Sequence, residues 1–184
     1  LGDAQMSREQ WEFKIRPVNF PTKRIAGISY ILSNCDGEPR TSLLATFRSA
    51  FNGVKTTQKL RNLLIPRASG YWTEHYTLGG KRHKETPFLI GRNRADDIVI
   101  NVVFPVIFGH AQRWEHRELQ QTAQAAYASY GKLQDNKITR YVANGIFSDN
   151  REQRDSVISS AMRQQGLIHL YKTSCAVRNC EDCL

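Results

Sequence analysis

The chain has 184 residues, which is enough for one domain with a substantial buried core. Hydrophobic residues make up 40% and charged residues 23% of the chain, a composition that excludes an intrinsically disordered protein. Because 26 lysines and arginines outnumber 17 acidic residues, the net charge of +9 favours an acidic partner, and nucleic acid is the commonest.

The sequence shows no targeting signal. No apolar run approaches the roughly 20 residues of a membrane-spanning helix, and no signal-peptide pattern is present. We therefore expect a cytoplasmic protein without a membrane partner, whose cysteines are reduced or metal-bound rather than joined in disulfides. The chain begins at Leu1 rather than at a methionine, so we expect a single helical domain, residues 1–184, that is part of a longer chain.

Three helices are predicted in the first part of the chain. The first begins at Pro21, which suits the first position of a helix. Its predicted core face consists of three apolar residues: Ile25, Ile28 and Leu32. The second follows a cap at Thr41 or Ser42, and the third ends before Pro66. Arg16, Lys23 and Arg24 form a small basic group near the first helix.

Residues 67–94 form a basic aromatic segment. The stretch 71–76 is aromatic and strand-like, and Gly79-Gly80 is a turn signal, so we predict a small β-hairpin over about residues 71–90. Eight side chains of this segment are predicted to contact nucleic acid, DNA in preference to RNA: Arg67, Tyr71, Trp72, Lys81, Arg82, Lys84, Arg92 and Arg94. The reason is that cations bind phosphates and aromatic rings stack on unpaired bases. The alternative is that the rings anchor the hairpin and the cations form a solvated rim.

Helices resume after the hairpin. Asp96 or Asp97 is expected at the start of a helix, where capping explains an acidic pair more simply than a magnesium site does. Residues 98–108 are apolar on almost every side, which predicts a buried central helix with a kink at Pro105. A long last helix is predicted to run from about Val157 into the cysteines. The expected fold is mostly α, a multi-helix bundle with one small β-hairpin insertion.

The tail, residues 173–184, contains the candidate metal ligands Cys175, Cys180 and Cys183. Thiolates in this C-x4-C-x2-C spacing can converge on one zinc ion or iron–sulfur cluster. A fourth ligand would come from Cys35, from His169 or from another part of the protein. Three interpretations remain open: an iron–sulfur cluster, a structural Zn²⁺ ion, or three reduced thiols without a metal.

Several segments together resemble an uncharacterised bacterial domain-of-unknown-function family. They are residues 16–25 (RPVNFPTKRI), Tyr71-Trp72, residues 90–101 (IGRNRADDIVIN), residues 103–105 (VFP), residues 165–168 (QGLI) and the C-terminal cysteines. Members of that family resemble restriction-endonuclease-like, PD-(D/E)xK nucleases in their N-terminal half. The resemblance implies that this chain is the C-terminal helical half and that a nuclease-like half is its partner.

The same resemblance bears on the type of metal. Some nucleases of that class hold a [4Fe–4S] cluster with one early cysteine and three near the C-terminus. Their usual order is C-x2-C-x5-C, from which C-x4-C-x2-C departs.

The sequence predicts a binding role rather than an enzyme. It has no nucleotide-binding glycine loop, no nucleophile elbow and no H-E-x-x-H motif. We expect an accessory helical domain of a nuclease-like protein that contacts nucleic acid, with any nuclease activity in a part outside this chain. The alternative is a structural or protein-interaction domain without a nucleic-acid role.

Overall fold

A computed structural model describes residues 7, 10, 19–35, 38, 41–42, 44–45, 47, 54–84, 88–148 and 150–177. The α-helices are α1 (Pro21–Asn34), α2 (Val54–Leu63), α3 (Arg92–Ile98), α4 (Phe104–Arg113), α5 (Arg117–Ala128), α6 (Lys137–Phe147), α7 (Arg151–Val157) and α8 (Ala161–Leu170). Residues 41, 42, 44, 45 and 47 are also helical, at the place of the predicted second helix. The mostly α fold is confirmed.

A continuous central segment joins α3 to α4 through a π-helical turn, Val99–Val103. Phe104 is fully buried, and its ring makes edge contacts with Phe47, Tyr127 and Tyr130 at centroid distances of 6.3, 5.4 and 6.2 Å. Such edge-to-face pairs add to the gain from apolar burial. The core therefore centres on the start of α4.

The predicted β-hairpin is wrong. Residues Gly70–Thr73 form a 3₁₀ turn, and residues 74–84 are turns and bends without a strand. In the described part of the chain, β structure is limited to two isolated bridges, Arg67 with Phe88 and Gly131 with Ser160. Local side chains take up the backbone groups that a strand ladder would need. The Tyr71 hydroxyl donates to the Thr77 carbonyl over 2.8 Å, for example.

The central helix differs from its prediction in two respects. It begins at Arg92, not at the acidic pair, so Asp96 and Asp97 lie in its second turn. The segment is not buried on all sides, because the side chains of Val102 and Val106 are exposed. A π-helical turn, Val99–Val103, ends two residues before Pro105, the position of the predicted kink. Such a turn accommodates the hydrogen bond that a proline removes from the helix.

The predicted last helix begins at Ala161 rather than at about Val157, where the separate helix α7 ends. Ile158 to Ser160 separate the two helices, and the Ser160 side chain accepts a hydrogen bond from the backbone N–H of Arg163 to cap α8. The Ala161 N–H donates to the Tyr130 carbonyl over 3.0 Å, which fixes the break against the core. A π-helical turn, Tyr171–Cys175, then extends α8 to the first cysteine of the tail.

Helix α1 presents the opposite face to the core from the one predicted. Its buried residues are Lys23, Ala26 and Gly27. By contrast, Ile25, Ile28 and Leu32 are 49%, 53% and 40% exposed. A Cβ at Gly27 would lie 2.9 Å from Ile90 Cγ1, so the glycine permits a close approach of α1 to Ile90. This contact orients the small residues inward.

Among the residues described, no helix combines the length and apolar character that crossing a membrane requires.

Candidate nucleic-acid interface

The described part of the basic aromatic segment before α3, residues 67–84 and 88, is a loop whose two ends lie together. Arg67 and Phe88 form an antiparallel bridge, and the Leu89 N–H donates to the Pro66 carbonyl over 3.1 Å. The Arg67 guanidinium lies 5.8 Å from the centroid of the Phe88 ring. The two ends of the loop are therefore held together immediately before α3. We call residues 67–84 and 88 the basic loop.

Helix α1 supports the basic loop from one side. The Thr22 hydroxyl donates to the Tyr76 carbonyl over 2.6 Å, and Lys23 Nζ lies 4.5 Å from the Tyr76 ring centroid. About two helical turns further along, the hydroxyls of Tyr30 and Ser69 share a hydrogen bond of 2.6 Å. Contacts at both ends of α1 thus fix the loop to the helical body.

Aromatic rings are stacked within the basic loop. Tyr71 lies parallel to His75 at 3.9 Å and perpendicular to Trp72 at 5.4 Å between ring centroids. His75 Nδ1 donates to the Tyr71 carbonyl over 2.9 Å. The Tyr71 side chain is exposed and that of Trp72 is half-buried. The arrangement holds aromatic surface at the protein–solvent boundary with little freedom to move.

The predicted cations of the loop are all at the surface. Lys81, Arg82 and Lys84 are exposed, as is Arg67 at the base. Arg82 forms an ion pair with Glu74, with Nε donating to Oε2 over 2.7 Å. Within the described residues, Lys81 and Lys84 take part in no ion pair. Each of these lysines can therefore meet an anion without first breaking an ion pair to another described residue.

Arg92 and Arg94 lie on the first turn of α3 rather than on the loop. Both are exposed, and Arg94 Nη1 is 3.2 Å from Asp97 Oδ2. The eight predicted side chains are thus divided between the basic loop and the helix that follows it. Arg94 also lines a polar groove of about 430 Å³ between α3, residues 133–136 and α8, which the sequence did not indicate.

Lys23 is not part of a surface group, although the sequence placed it with Arg16 and Arg24. Its side chain is only 1% exposed and packs beneath Tyr76. Burial lowers the pKa of the Lys23 ammonium, because the low-dielectric surroundings disfavour the charged form. Arg24 is exposed, and Arg16 lies outside the described residues.

Asp96 belongs to a structural network and does not cap a helix. It accepts hydrogen bonds from Arg61 Nε and from the Tyr130 hydroxyl. Burial disfavours the charge of Arg61, but the hydrogen bonds to Asp96 and Tyr130 outweigh it and raise the pKa of Arg61. Burial and the bond to Asp96 raise the pKa of Tyr130. This network joins α2, α3 and the end of α5.

The cysteine site falls only partly within the structure. Cys175 is half-buried at the end of the π-helical turn, whereas Cys180 and Cys183 lie outside the described residues. The suggested fourth ligands differ in exposure, since Cys35 is buried and His169 is exposed. In the part of the chain that is described, no three His, Cys, Asp or Glu side chains are grouped as a metal site. The three-cysteine site stays a prediction.

Comparison with known proteins gives one family. The family described as "Protein of unknown function (DUF2851)" matches residues 2–136, which include the basic loop and all of α3 and α4. Residues 165–168 and the C-terminal cysteines lie outside the matched range. No curated protein and no solved structure matches the chain.

Proposed function

We propose that this chain, which belongs to the DUF2851 family of proteins of unknown function, is an accessory helical domain that contacts nucleic acid through its basic loop. The observation that carries the proposal is the position of exposed cations beside stacked, solvent-accessible aromatic rings. Lys81 and Lys84 flank Arg82 and His83, which contact Glu74, two residues after the Tyr71–Trp72 pair, on a loop that α1 holds in place.

Two physical contributions support binding at this loop. Lysine and arginine side chains displace counterions condensed on the phosphate backbone, which gives affinity without sequence preference. Aromatic faces such as those of Tyr71 and Trp72 stack on bases that are not paired. The loop therefore suits single-stranded nucleic acid better than a duplex, and we propose DNA in preference to RNA.

A pre-formed loop favours binding because little conformational entropy is lost on association. The stack of Tyr71 on His75 and the contacts of Tyr76 with Thr22 and Lys23 restrict the loop in the free protein. Binding then orders the nucleic acid more than the protein.

The wider assembly is proposed on the resemblance described above. In that proposal the chain is the accessory half of a nuclease-like protein, and the divalent-metal chemistry of strand cleavage belongs to the partner half. The domain would hold the substrate strand while the partner half acts on it.

A salt titration tests the nucleic-acid role. Fluorescence anisotropy would measure affinity for a labelled DNA single strand of about 12 nucleotides from about 50 to about 200 mM salt. The slope of log K against log salt is negative, and each phosphate contact contributes about −0.7 to it for single strands. Lys81→Gln/Lys84→Gln removes two such contacts and should therefore reduce the magnitude of the slope by about 1.4.

The matched control is Arg151→Gln/Lys172→Gln, which removes the same charge from exposed positions on other elements. It should leave the slope nearly unchanged. Equal losses in both double variants would mean that total charge rather than the basic loop is responsible. No binding to the unmodified protein at low salt would refute the proposal.

A protein-interaction role is the second candidate, and one observation favours it. The exposed residues Ile25, Ile28 and Leu32 are spaced by three and four positions, so they form a stripe along α1. Exposed apolar stripes of this kind mark contact surfaces between proteins. Absence of nucleic-acid binding at low salt would leave this candidate as the better explanation.

A further inference from the structure

A polar groove beside Arg94 is pre-formed by hydrogen bonds. Gln164 is only 2% exposed, and its side-chain amide joins α8 to the segment before α6. Its Oε1 accepts from the Leu133 N–H over 2.6 Å, and its Nε2 donates to the Leu133 carbonyl over 3.0 Å and to Asp135 Oδ1 over 2.9 Å. The next residue, Asn136, caps α6 in a reciprocal pair with Thr139. The groove wall is thus fixed without a ligand.

Hydrogen-bonding capacity remains on both sides of the groove. Gln134 accepts from Asn93 Nδ2 over 2.9 Å, which leaves its own amide N–H groups for a ligand. Gln165 Nε2 donates to Asn101 Oδ1 over 3.3 Å, which leaves its carbonyl oxygen. In the described chain every buried side-chain N or O atom has a partner. The groups that can still bind a ligand, the amide N–H groups of Gln134 and the side-chain carbonyl oxygen of Gln165, are therefore ones that solvent reaches in the groove.

The charges of the groove offer a phosphate no unpaired cation among the described lining residues. Arg94 lies 3.2 Å from Asp97, and the second lining carboxylate, Asp135, lies 3.4 Å from Lys132 Nζ. Leu133 and Ile168 add apolar surface to the lining. A flat, uncharged ligand with donors and acceptors on its edge and apolar faces matches this lining, and a nucleobase has these properties.

We propose that the groove binds an unpaired nucleobase and prefers bases that carry an exocyclic amino group. This inference rests on the proposed function, because Arg94 is both a member of the basic set and part of the groove lining. A strand bound along the basic loop and Arg92 continues towards Arg94, and one of its bases enters the groove.

The preference follows from the carboxylates. Asp97 is part-exposed and pairs only with Arg94 among the described residues, so its second oxygen accepts from a ligand. Cytosine presents an N4 amino donor where thymine, a base of similar size, presents the O4 acceptor. If the Asp97 carboxylate faces thymine O4, two acceptors meet and neither oxygen receives a hydrogen bond. The groove should therefore favour cytosine over thymine.

Two oligonucleotides of about 12 residues, one of deoxycytidine and one of thymidine, test the inference at fixed salt by fluorescence anisotropy. We expect the unmodified protein to bind oligo-dC about tenfold more tightly than oligo-dT, the effect of one hydrogen bond to a charged group. Asp97→Asn replaces an acceptor oxygen with a donor amide and should abolish the difference. Glu152→Gln, an equal charge change at an exposed site outside the groove, should preserve it.

Equal affinity for the two oligonucleotides would overturn the groove assignment, as would a preference that survives in Asp97→Asn. The proposed function would then still be supported if Lys81→Gln/Lys84→Gln weakened binding of both strands. Failure of both strands to bind at low salt would overturn the two proposals together. Thermal unfolding of Asp97→Asn checks that the variant is folded.

Discussion

At the scale of single residues, the most consequential polar contact in the core is that of Tyr130 with Asp96. Tyr130 is buried, and its hydroxyl donates to a carboxylate that Arg61 also contacts. Three segments that are distant in sequence meet at this carboxylate. A buried hydrogen bond to a charged acceptor contributes more than one between neutral groups, because the low-dielectric surroundings strengthen it.

Replacing Tyr130 with phenylalanine should lower the free energy of unfolding by about 1.5–3 kcal/mol, since the ring remains but the bond to Asp96 is lost. The pH dependence should also change. The folded-state pKa of Tyr130 is raised, so the unfolded chain releases this proton first as pH rises. The stabilisation that Tyr130 gives the folded state is fully present below about pH 10. Above that pH the free energy of unfolding falls by about 1.4 kcal/mol per pH unit.

Urea unfolding of the unmodified protein and Tyr130→Phe between about pH 7 and pH 11 measures this loss. The unmodified protein should lose stability above pH 10 more steeply than the variant. Burial also raises the pKa of Tyr127, but this shift is present in both proteins and does not affect the difference between their curves. Parallel curves would mean that Tyr130 ionises equally readily in the folded and unfolded states.

At the scale of elements, the packing of α1 decides where the basic loop lies. The helix approaches residues 89–90 at Gly27 and holds the loop through Thr22, Lys23 and Tyr30. The inward face of α1 is made of Ala26, Gly27 and the stem of Lys23, with the partly buried Ile31 packed against the core. Ile25, Ile28 and Leu32 remain exposed.

Gly27→Ala tests this close approach. Alanine favours a helix over glycine by about 1 kcal/mol, whereas overpacking a core site costs about 1–3 kcal/mol. Because the added Cβ would meet Ile90 Cγ1 at 2.9 Å, we expect net destabilisation of about 1 kcal/mol.

The control is the same substitution in an Ile90→Ala background, where the clashing atoms are absent. There Gly27→Ala should become stabilising by up to about 1 kcal/mol, through helix propensity alone. Equal effects of Gly27→Ala in the two backgrounds, measured by chemical denaturation, would show that the Ile90 contact does not limit the approach of α1.

At the scale of the whole molecule, two regions with separate chemistry lie in different parts of the chain. The basic loop falls within the range of the family match, and the cysteine tail lies outside it. The net charge of +9 is a property of the entire chain and supports association with polyanions at any basic surface. Only the local arrangement of rings, cations and groove restricts the proposed contact to particular residues.

The cysteine hypothesis predicts a metal centre in anaerobically purified protein. Elemental analysis with a visible absorption spectrum should find iron and sulfide, or zinc, and Cys175→Ser should reduce the metal content because a thiolate ligand is lost. Ser174→Ala, next to it, should have no such effect. Metal-free protein, or equal metal content in both variants, would support the interpretation of three reduced thiols.

The sequence by itself determined the helical class, the boundaries near Pro21 and Pro66, and the exposure of the loop cations. These follow from local rules, since prolines limit where helices begin and end and charged side chains must remain hydrated. The sequence did not determine which face of α1 is buried. The spacing of apolar residues identifies an apolar stripe along the helix but not whether another part of the protein covers it. Ile25, Ile28 and Leu32 satisfied the spacing and are nevertheless exposed.

Tertiary structure alone decided the conformation of the loop, the burial of Lys23 and the existence of the groove. The loop replaces strand pairing with contacts to α1, more than forty residues away along the chain in the case of Thr22 and Tyr76. The groove brings Asp97, Asp135 and Gln165 together from three separate segments. Contacts between residues so distant in sequence depend on how the helices pack, which local propensity does not specify.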